Sequence, residues 1–208
     1  MLDAPSSESA LDGVTPYRGN VGVLTMAEHG LTTLLHLEGA RPGPELTTIL
    51  ANLALTALPA IGESGGRADA MLLSIGPSMW LLVAPAGPPK ELTTASATGG
   101  AFEVALDVSH AYGCIEIAGD KASELLAKGC VLDLHLRHFP PGACAATGLW
   151  GIRTVIRHLP DTFHVLVARS YAHSLWLRLL DAGREYWDPS NDSEVQQRNA
   201  ESLKCERH

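Results

Sequence analysis

Three sets of side chains along this sequence are of types that carry out chemistry. Asp133, His135 and His138 lie close together, and a strand would turn positions 133 and 135 to one face. Carboxylate and imidazole are zinc ligands, but a stable site takes three or four of them with outer partners that hold them in place. No further nearby ligand cluster completes such a site, so packed or surface histidines are the simpler reading. Asp107, Ser109 and His110 have the composition of a catalytic triad. Alternation along a strand sends Asp107 and Ser109 to one face and His110 to the other, and no GxSxG elbow presents a nucleophile. This argues against a serine hydrolase. Gly13, Gly19 and Gly22 do not make a GxGxxG fingerprint, and no Walker A sequence occurs. Trp80, Trp150, Trp176 and Trp187 are too dispersed for a stacking platform and read as core or interface anchors. The residues therefore nominate no catalytic group, no cofactor-binding group and no metal ligand on this chain.

The elements that would position these groups follow from periodicity. Strands are expected over Leu31–Leu37, Ala70–Ile75, Met79–Ala84, Phe102–Val108 and Tyr112–Ile117, with Gly76-Pro77 as a turn. Ile49, Leu50, Leu53, Ala54, Ala57 and Leu58 recur at helical spacing and predict a helix over Glu45–Leu58. Gly62–Arg67 reads as a loop, and Gly87–Gly100, mixing Pro, Thr, Ser and Gly, as a connector. Asp120 as N-cap and Gly129 as the stop predict a short helix over Lys121–Lys128. Cys130–Leu136 is a short strand or loop, and Pro140-Pro141-Gly142 a hard turn. Ala143–Trp150, Ile152–His158 and Phe163–Ala168 read as an antiparallel meander. A last helix, Tyr171–Ala182, capped by Ser170 and ended by Gly183, presents Tyr171, Leu175, Trp176, Leu179 and Leu180 on one face. The mixed order of strands and helices gives an α+β class. Residues 1–20 read as a loose arm and 21–183 as the folded domain, with subdomains of about 21–100 and 101–183. Residues 184–208 are a polar tail that is either disordered or laid across a partner.

The bulk properties exclude several function classes. A formal net charge of −8 without basic runs argues against nucleic-acid binding. No apolar stretch approaches the ~18 residues of a membrane span. The N-terminus lacks the basic and apolar regions of a signal peptide. Cys114, Cys130, Cys144 and Cys205 form no CxxC pair and read as thiols in a reducing compartment, so the expected location is cytoplasmic.

Several segments together resemble one family. Gly76-Pro77-Ser78-Met79-Trp80-Leu81-Leu82 resembles the GPxxWLL strand pair of the sarcosine oxidase gamma subunit family. Asp107-Val108-Ser109, followed by Ile117-Ala118-Gly119-Asp120, is similar to its DVS…LxG strand and turn. Leu125 to Leu134 is similar to its LAKGCPLDL segment, Phe139–Ala145 to FPPGxCA, and Arg169–Trp176 to RSFAxYLW. The resemblance spans roughly residues 14–183. It implies the gamma subunit of a four-subunit complex that oxidises sarcosine to glycine, passes the carbon to tetrahydrofolate and forms hydrogen peroxide. It further implies partners of alpha, beta and delta type, with FAD, FMN and NAD in alpha and beta, zinc in delta, and no cofactor on gamma. The implied fold is similar to the N-terminal part of the folate-binding aminomethyltransferase fold of the glycine cleavage T-protein, which shares the DVSH of Asp107–His110.

That likeness opens a rival reading, a stand-alone folate-binding aminomethyltransferase; a gamma-like subunit serving another secondary amine, such as N-methylglutamate or an opine, is a further one. T-proteins carry an essential carboxylate in a GGVIDDL strand. The corresponding stretch here is Gly148–Val155, and no Asp or Glu occurs between Asp133 and Asp161. Arg153 stands near where the negative charge would be. A transfer that depends on a carboxylate to orient folate and amine cannot run on that strand. Folate-binding iron–sulfur maintenance proteins carry KGCYxGQE; Lys128-Gly129-Cys130 matches its first three positions and Val131–Leu134 departs, so Cys130 reads as a packed thiol.

Overall fold

The computed structural model describes residues 9–11, 14, 16–18, 22–30, 33–67, 69–84 and 100–186. Most of the N-terminal arm, nearly all of the Gly87–Gly100 connector, and the tail from Trp187 onward, Cys205 included, lie outside the described residues. The strands are β1 (Tyr17–Arg18), β2 (Thr25–Glu28), β3 (Leu34–Ala40), β4 (Ser64–Arg67), β5 (Ala70–Gly76), β6 (Met79–Val83), β7 (Phe102–Asp107), β8 (Tyr112–Ala118), β9 (Cys144–Leu149), β10 (Ile152–His158) and β11 (Thr162–Ala168). The helices are α1 (Pro44–Asn52), α2 (Ala122–Ala127) and α3 (Arg169–Gly183), with short 3-10 turns at Ser109–Ala111 and Arg184–Tyr186.

The strands form two antiparallel sheets. One has the order β1-β2-β8-β11-β10-β9, the other β4-β5-β6-β3-β7. The class is therefore α+β, as the sequence predicts. Alternation along each strand divides its side chains between two faces, and this gives a four-layer stack. Leu34, Leu73 and Leu81 of the five-stranded sheet meet Cys114, Cys144, Val155 and Leu166 of the six-stranded sheet in an inner core. The opposite face of the six-stranded sheet, with Ile115, Ile117, Val165 and Val167, is covered by Leu125 and Leu126 of α2 and by Leu175, Trp176 and Leu179 of α3. The opposite face of the five-stranded sheet, with Leu35, Leu37, Leu72 and Leu82, is covered by Ile49 of α1 and Leu53. Each fully buried aliphatic side chain contributes roughly 1.5–3 kcal/mol.

Backbone hydrogen bonds stitch the two sheets at one corner. Ser64 N–H donates to Gly142 O at 2.8 Å and Cys144 N–H to Gly62 O at 2.9 Å. The Cys144 thiol donates to Glu63 O and Ser74 O. Strands β1 and β2 cross over to join the second-half sheet, and the Tyr17 hydroxyl donates to Gly183 O at the end of α3.

Five expected features differ. The first helix stops at Asn52 rather than Leu58, because Ala54 takes a left-handed conformation (φ 55) that ends the spiral, and Ala54 and Ala57 are exposed. Asp120 is not a cap: Lys121 holds the N-cap position, and the amides of Asp120 and Lys121 donate to Gly22 O and Val23 O. Ser170 lies inside α3, whose N-cap is Ala168, so the helix starts directly where β11 ends. Gly62–Arg67, expected as a loop, contains β4. On α3 the buried face is Ala172, Leu175, Trp176, Leu179 and Gly183, while Tyr171 is exposed.

Candidate functional site

Asp107 and Ser109 form a structural clamp. The Asp107 carboxylate accepts the Ser109 amide at 2.9 Å and its hydroxyl at 2.6 Å. That hydroxyl oxygen in turn accepts the Leu34 amide at 2.9 Å, so the serine ties the end of β7 to the start of β3. Its proton and one lone pair are committed, and His110 is exposed. No nucleophile is activated here. The two Ser109 hydrogen bonds hold the Asp107 carboxyl below the usual carboxylate range. A lowered folded-state pKa stabilises the fold above the unfolded value near pH 4, and this contribution is lost as pH falls through the lowered value. Asp107→Ala should cost about 1–2 kcal/mol near neutrality through the lost hydrogen bonds. In acid denaturation followed by circular dichroism, Asp107→Asn should lose stability less steeply below about pH 4 than the wild type. Parallel acid profiles for the two would contradict the assignment.

Asp133, His135 and His138 do not converge on a metal. His138 Nε2 lies 3.8 Å from Asp133 Oδ2 with both side chains exposed. The other Asp133 oxygen accepts the His135 amide, and His135 Nδ1 accepts the Arg137 amide. These groups shape a surface turn.

The Lys128-Gly129-Cys130 segment is also architectural. The Lys128 ammonium donates to Ala182 O near the C-terminal end of α3 and pairs with Glu185, with Nζ 4.5 Å from the Tyr186 ring centre. Cation and carbonyl end of a helix attract each other. Gly129 lies against the Trp150 indole, and Cys130 Sγ lies 3.7 Å from Thr147 Oγ1. Burial pushes the Cys144 thiol up to about 11 and raises Cys114 further, which leaves both protonated and inert.

Gly148–Val155 forms the β9–β10 hairpin. Trp150 (φ 47) and Gly151 (φ 79) make its two-residue turn, and Arg153 points to solvent. His158, by contrast, is 7% exposed. Its Nδ1 lies 2.6 Å from Phe139 O, and its ring stacks 4.3 Å from Phe163, which fastens the Phe139–Gly142 turn to β10.

One cluster was not visible in the sequence. Glu116 of β8 and His164 of β11 are cross-strand partners, and His29 follows β2, the neighbour of β8 on the other side. Glu116 Oε2 lies 3.3 Å from His29 Nδ1 and 3.3 Å from His164 Nε2. The two imidazole rings lie 4.2 Å apart. Burial, and secondarily the facing His29, push the His164 pKa down to about 4. Arg157 of β10 is the cross-strand partner of His164 on its far side.

Among known proteins, the family model described as sarcosine oxidase, gamma subunit family, matches residues 48–185. This chain belongs to the sarcosine oxidase gamma subunit family. A sarcosine oxidase subunit gamma from Arthrobacter sp. is 29% identical over 172 residues, covering 81% of this chain and 84% of that one. The same subunit from Corynebacterium sp. (strain U-96) is 30% identical over 166 residues, covering 78% and 80%. In structure, the chain is similar to one chain of heterotetrameric sarcosine oxidase from Corynebacterium sp. U-96, with a TM-score of 0.70, 25% identity and coverage of 79% and 86%. The fold of this chain is also similar to that of glycine cleavage system aminomethyltransferase T from Bartonella henselae, with a TM-score of 0.53, 19% identity and coverage of 78% of this chain but 46% of that one. The α+β fold expected from the motifs is thus the one found.

Proposed function

We propose that this chain is the gamma subunit of a heterotetrameric sarcosine-oxidase-type complex and supplies no catalytic side chain to it. The observation that carries this reading is coverage. The chain spans 86% of a chain from a heterotetrameric oxidase, but only 46% of an aminomethyltransferase. The match thus spans most of a chain of the first and less than half of the second. Two further observations support it. No carboxylate occurs between Asp133 and Asp161, where a folate-dependent transferase keeps its own. And Val131 (92% exposed), Ile61 (68%) and Leu136 (62%) leave apolar side chains uncovered around the stitched corner and the Cys130–Gly142 loop. In this reading the partners are alpha, beta and delta subunits, which hold FAD, FMN, NAD and zinc. The complex demethylates sarcosine in the cytoplasm with tetrahydrofolate as carbon acceptor. No helix among the described residues is long and apolar enough to cross a membrane.

Affinity purification of the tagged chain from its own host tests the proposal. The expected result is recovery with three other polypeptides in equal amounts, flavin absorbance, and sarcosine-dependent peroxide formation. A stable monomer that binds tetrahydrofolate and turns over an aminomethyl donor by itself would overturn it.

A further inference from the structure

The geometry points to His29, Glu116 and His164 as the protein ligands of one divalent transition-metal ion, with zinc the best match. The three donor atoms lie within 4.8 Å of one another, and this is the one such group among the described residues. Two of the three separations, carboxylate oxygen to each imidazole nitrogen, are 3.3 Å. A tetrahedral ion with bonds of 2.0–2.1 Å holds neighbouring ligands about 3.3–3.4 Å apart. An octahedral ion of the same bond length would draw cis ligands to about 2.9–3.0 Å. A direct charge-assisted hydrogen bond from imidazole to carboxylate settles at roughly 2.7–2.9 Å. The two carboxylate–imidazole spacings match those between ligands of a shared tetrahedral centre, and without an ion His164 Nε2 and Glu116 Oε2 stay within hydrogen-bond reach at 3.3 Å. The remaining pair, the two nitrogens, lies within 4.8 Å.

The scaffold suits a metal. Glu116 and His164 stand opposite each other on neighbouring central strands. The His29 amide donates to Cys114 O at 2.9 Å, which extends the β2–β8 ladder by one residue. Ligands held by sheet ladders keep their spacing better than ligands on loops. Side-chain exposures of 35% for His29 and 39% for Glu116 give the ion a path from solvent, while His164, at 13%, forms the floor. Three protein ligands leave one position open. Arg157 flanks His164 on the same face, and its buried Nε has no partner. A guanidinium beside a cation favours an anion, hydroxide or carboxylate, as the fourth ligand. Neither the exposed Asp133–His138 pair nor any cysteine takes part.

The test uses the full chain as purified, together with any partners that accompany it. After chelation and dialysis the protein is reloaded with Zn2+ or Co2+, and wild type is compared with His29→Gln, Glu116→Gln and His164→Gln. The expected result is one equivalent of Zn2+ per chain that each substitution removes, with affinity falling roughly 100-fold or more. The His135→Gln/His138→Gln double variant should retain it. The Co2+ form of the wild type should show intense visible bands of tetrahedral coordination that Glu116→Gln lacks. Glu116→Gln preserves size on a half-exposed side chain, so it keeps the comparison decisive if His164→Gln fails to fold. Equal Zn2+ uptake by wild type and Glu116→Gln, or Co2+ spectra that do not differ between them, would overturn the assignment. Zinc held elsewhere in a complex cancels in the difference, so the outcome is independent of whether the chain is purified with partners.

Discussion

Replacing Trp176 by alanine is expected to cost about 3–5 kcal/mol of folding stability. Trp176 is 1% exposed and heads the largest fully buried side chains. It lies on the inner face of α3, in the core that also holds Leu24 and Met26 from the N-terminal crossing, Ile115 and Ile117 from β8, and Leu125 from α2. Its removal leaves a void between the helices and the six-stranded sheet, and strands held in register by two-sided pairing cannot move inward to fill it. The indole also carries a cost, because its buried Nε1 has no hydrogen-bond partner. An unsatisfied buried donor costs roughly 1–3 kcal/mol. Trp176→Phe keeps most of the ring volume and removes that donor, so its loss should be about 1.5 kcal/mol or less. Urea unfolding followed by far-ultraviolet circular dichroism measures both. If the phenylalanine variant lost as much as the alanine variant, the N–H would be satisfied and the void would not be the dominant cost.

Gly129→Ala is expected to cost about 2–3 kcal/mol through overpacking. A Cβ at position 129 would lie 2.3, 2.4 and 2.7 Å from three atoms of the Trp150 indole. The ring has little freedom to retreat. Trp150 sits in the left-handed region in the tip of the β9–β10 hairpin, and its amide donates to Gly129 O at 2.8 Å. The two positions are therefore locked from both the backbone and the side-chain direction. In a double-mutant cycle Trp150→Ala removes the obstacle, so Gly129→Ala should cost well under 1 kcal/mol in that background, leaving a coupling of about 2 kcal/mol. Equal costs in the two backgrounds would mean that the glycine is required for another reason. The outcome bears on how the Lys128-Gly129-Cys130 sequence is read: the lysine holds a helix end, the glycine admits an indole, and the cysteine packs on a threonine.

The contrast between elements foreseen and missed has a physical origin. The β9–β10–β11 meander was legible because each strand alternates or runs apolar between clear turn residues, and the observed limits differ from the expected ones by a residue or so. Ser64–Arg67 was not, since a Gly-Gly pair has little strand propensity. It forms a strand because Gly66 (φ 137) lets the chain approach β5, with a hypothetical Cβ only 2.4 Å from Ala70 O. That is a tertiary condition with no local signature. Thr25–Glu28 is too short to show a period, and it is a strand only because β8 lies beside it. The His29–Glu116–His164 group was hidden for the same reason, since its members come from β8, β11 and the residue just after β2, which are neighbours in the sheet and remote along the chain. Asp133, His135 and His138 had the better local spacing and made no cluster. The absence of acidic residues from 134 to 160 needed no structure at all, because composition alone fixes what charge that hairpin can carry.

The crossing of β1 and β2 into the second sheet has a consequence for how the chain is made. Met26 pairs with Ile117, and at a synthesis rate of 5–20 residues per second its partner emerges roughly 5–18 seconds later. During that interval Leu24 and Met26, both fully buried in the finished core, have no strand to lean on. The first half of the nascent chain thus leaves the ribosome with a sticky edge that only its last hundred residues can cover. A chaperone holding that segment, or slow codons placed after it, would change the yield of folded protein without touching any contact in the native state.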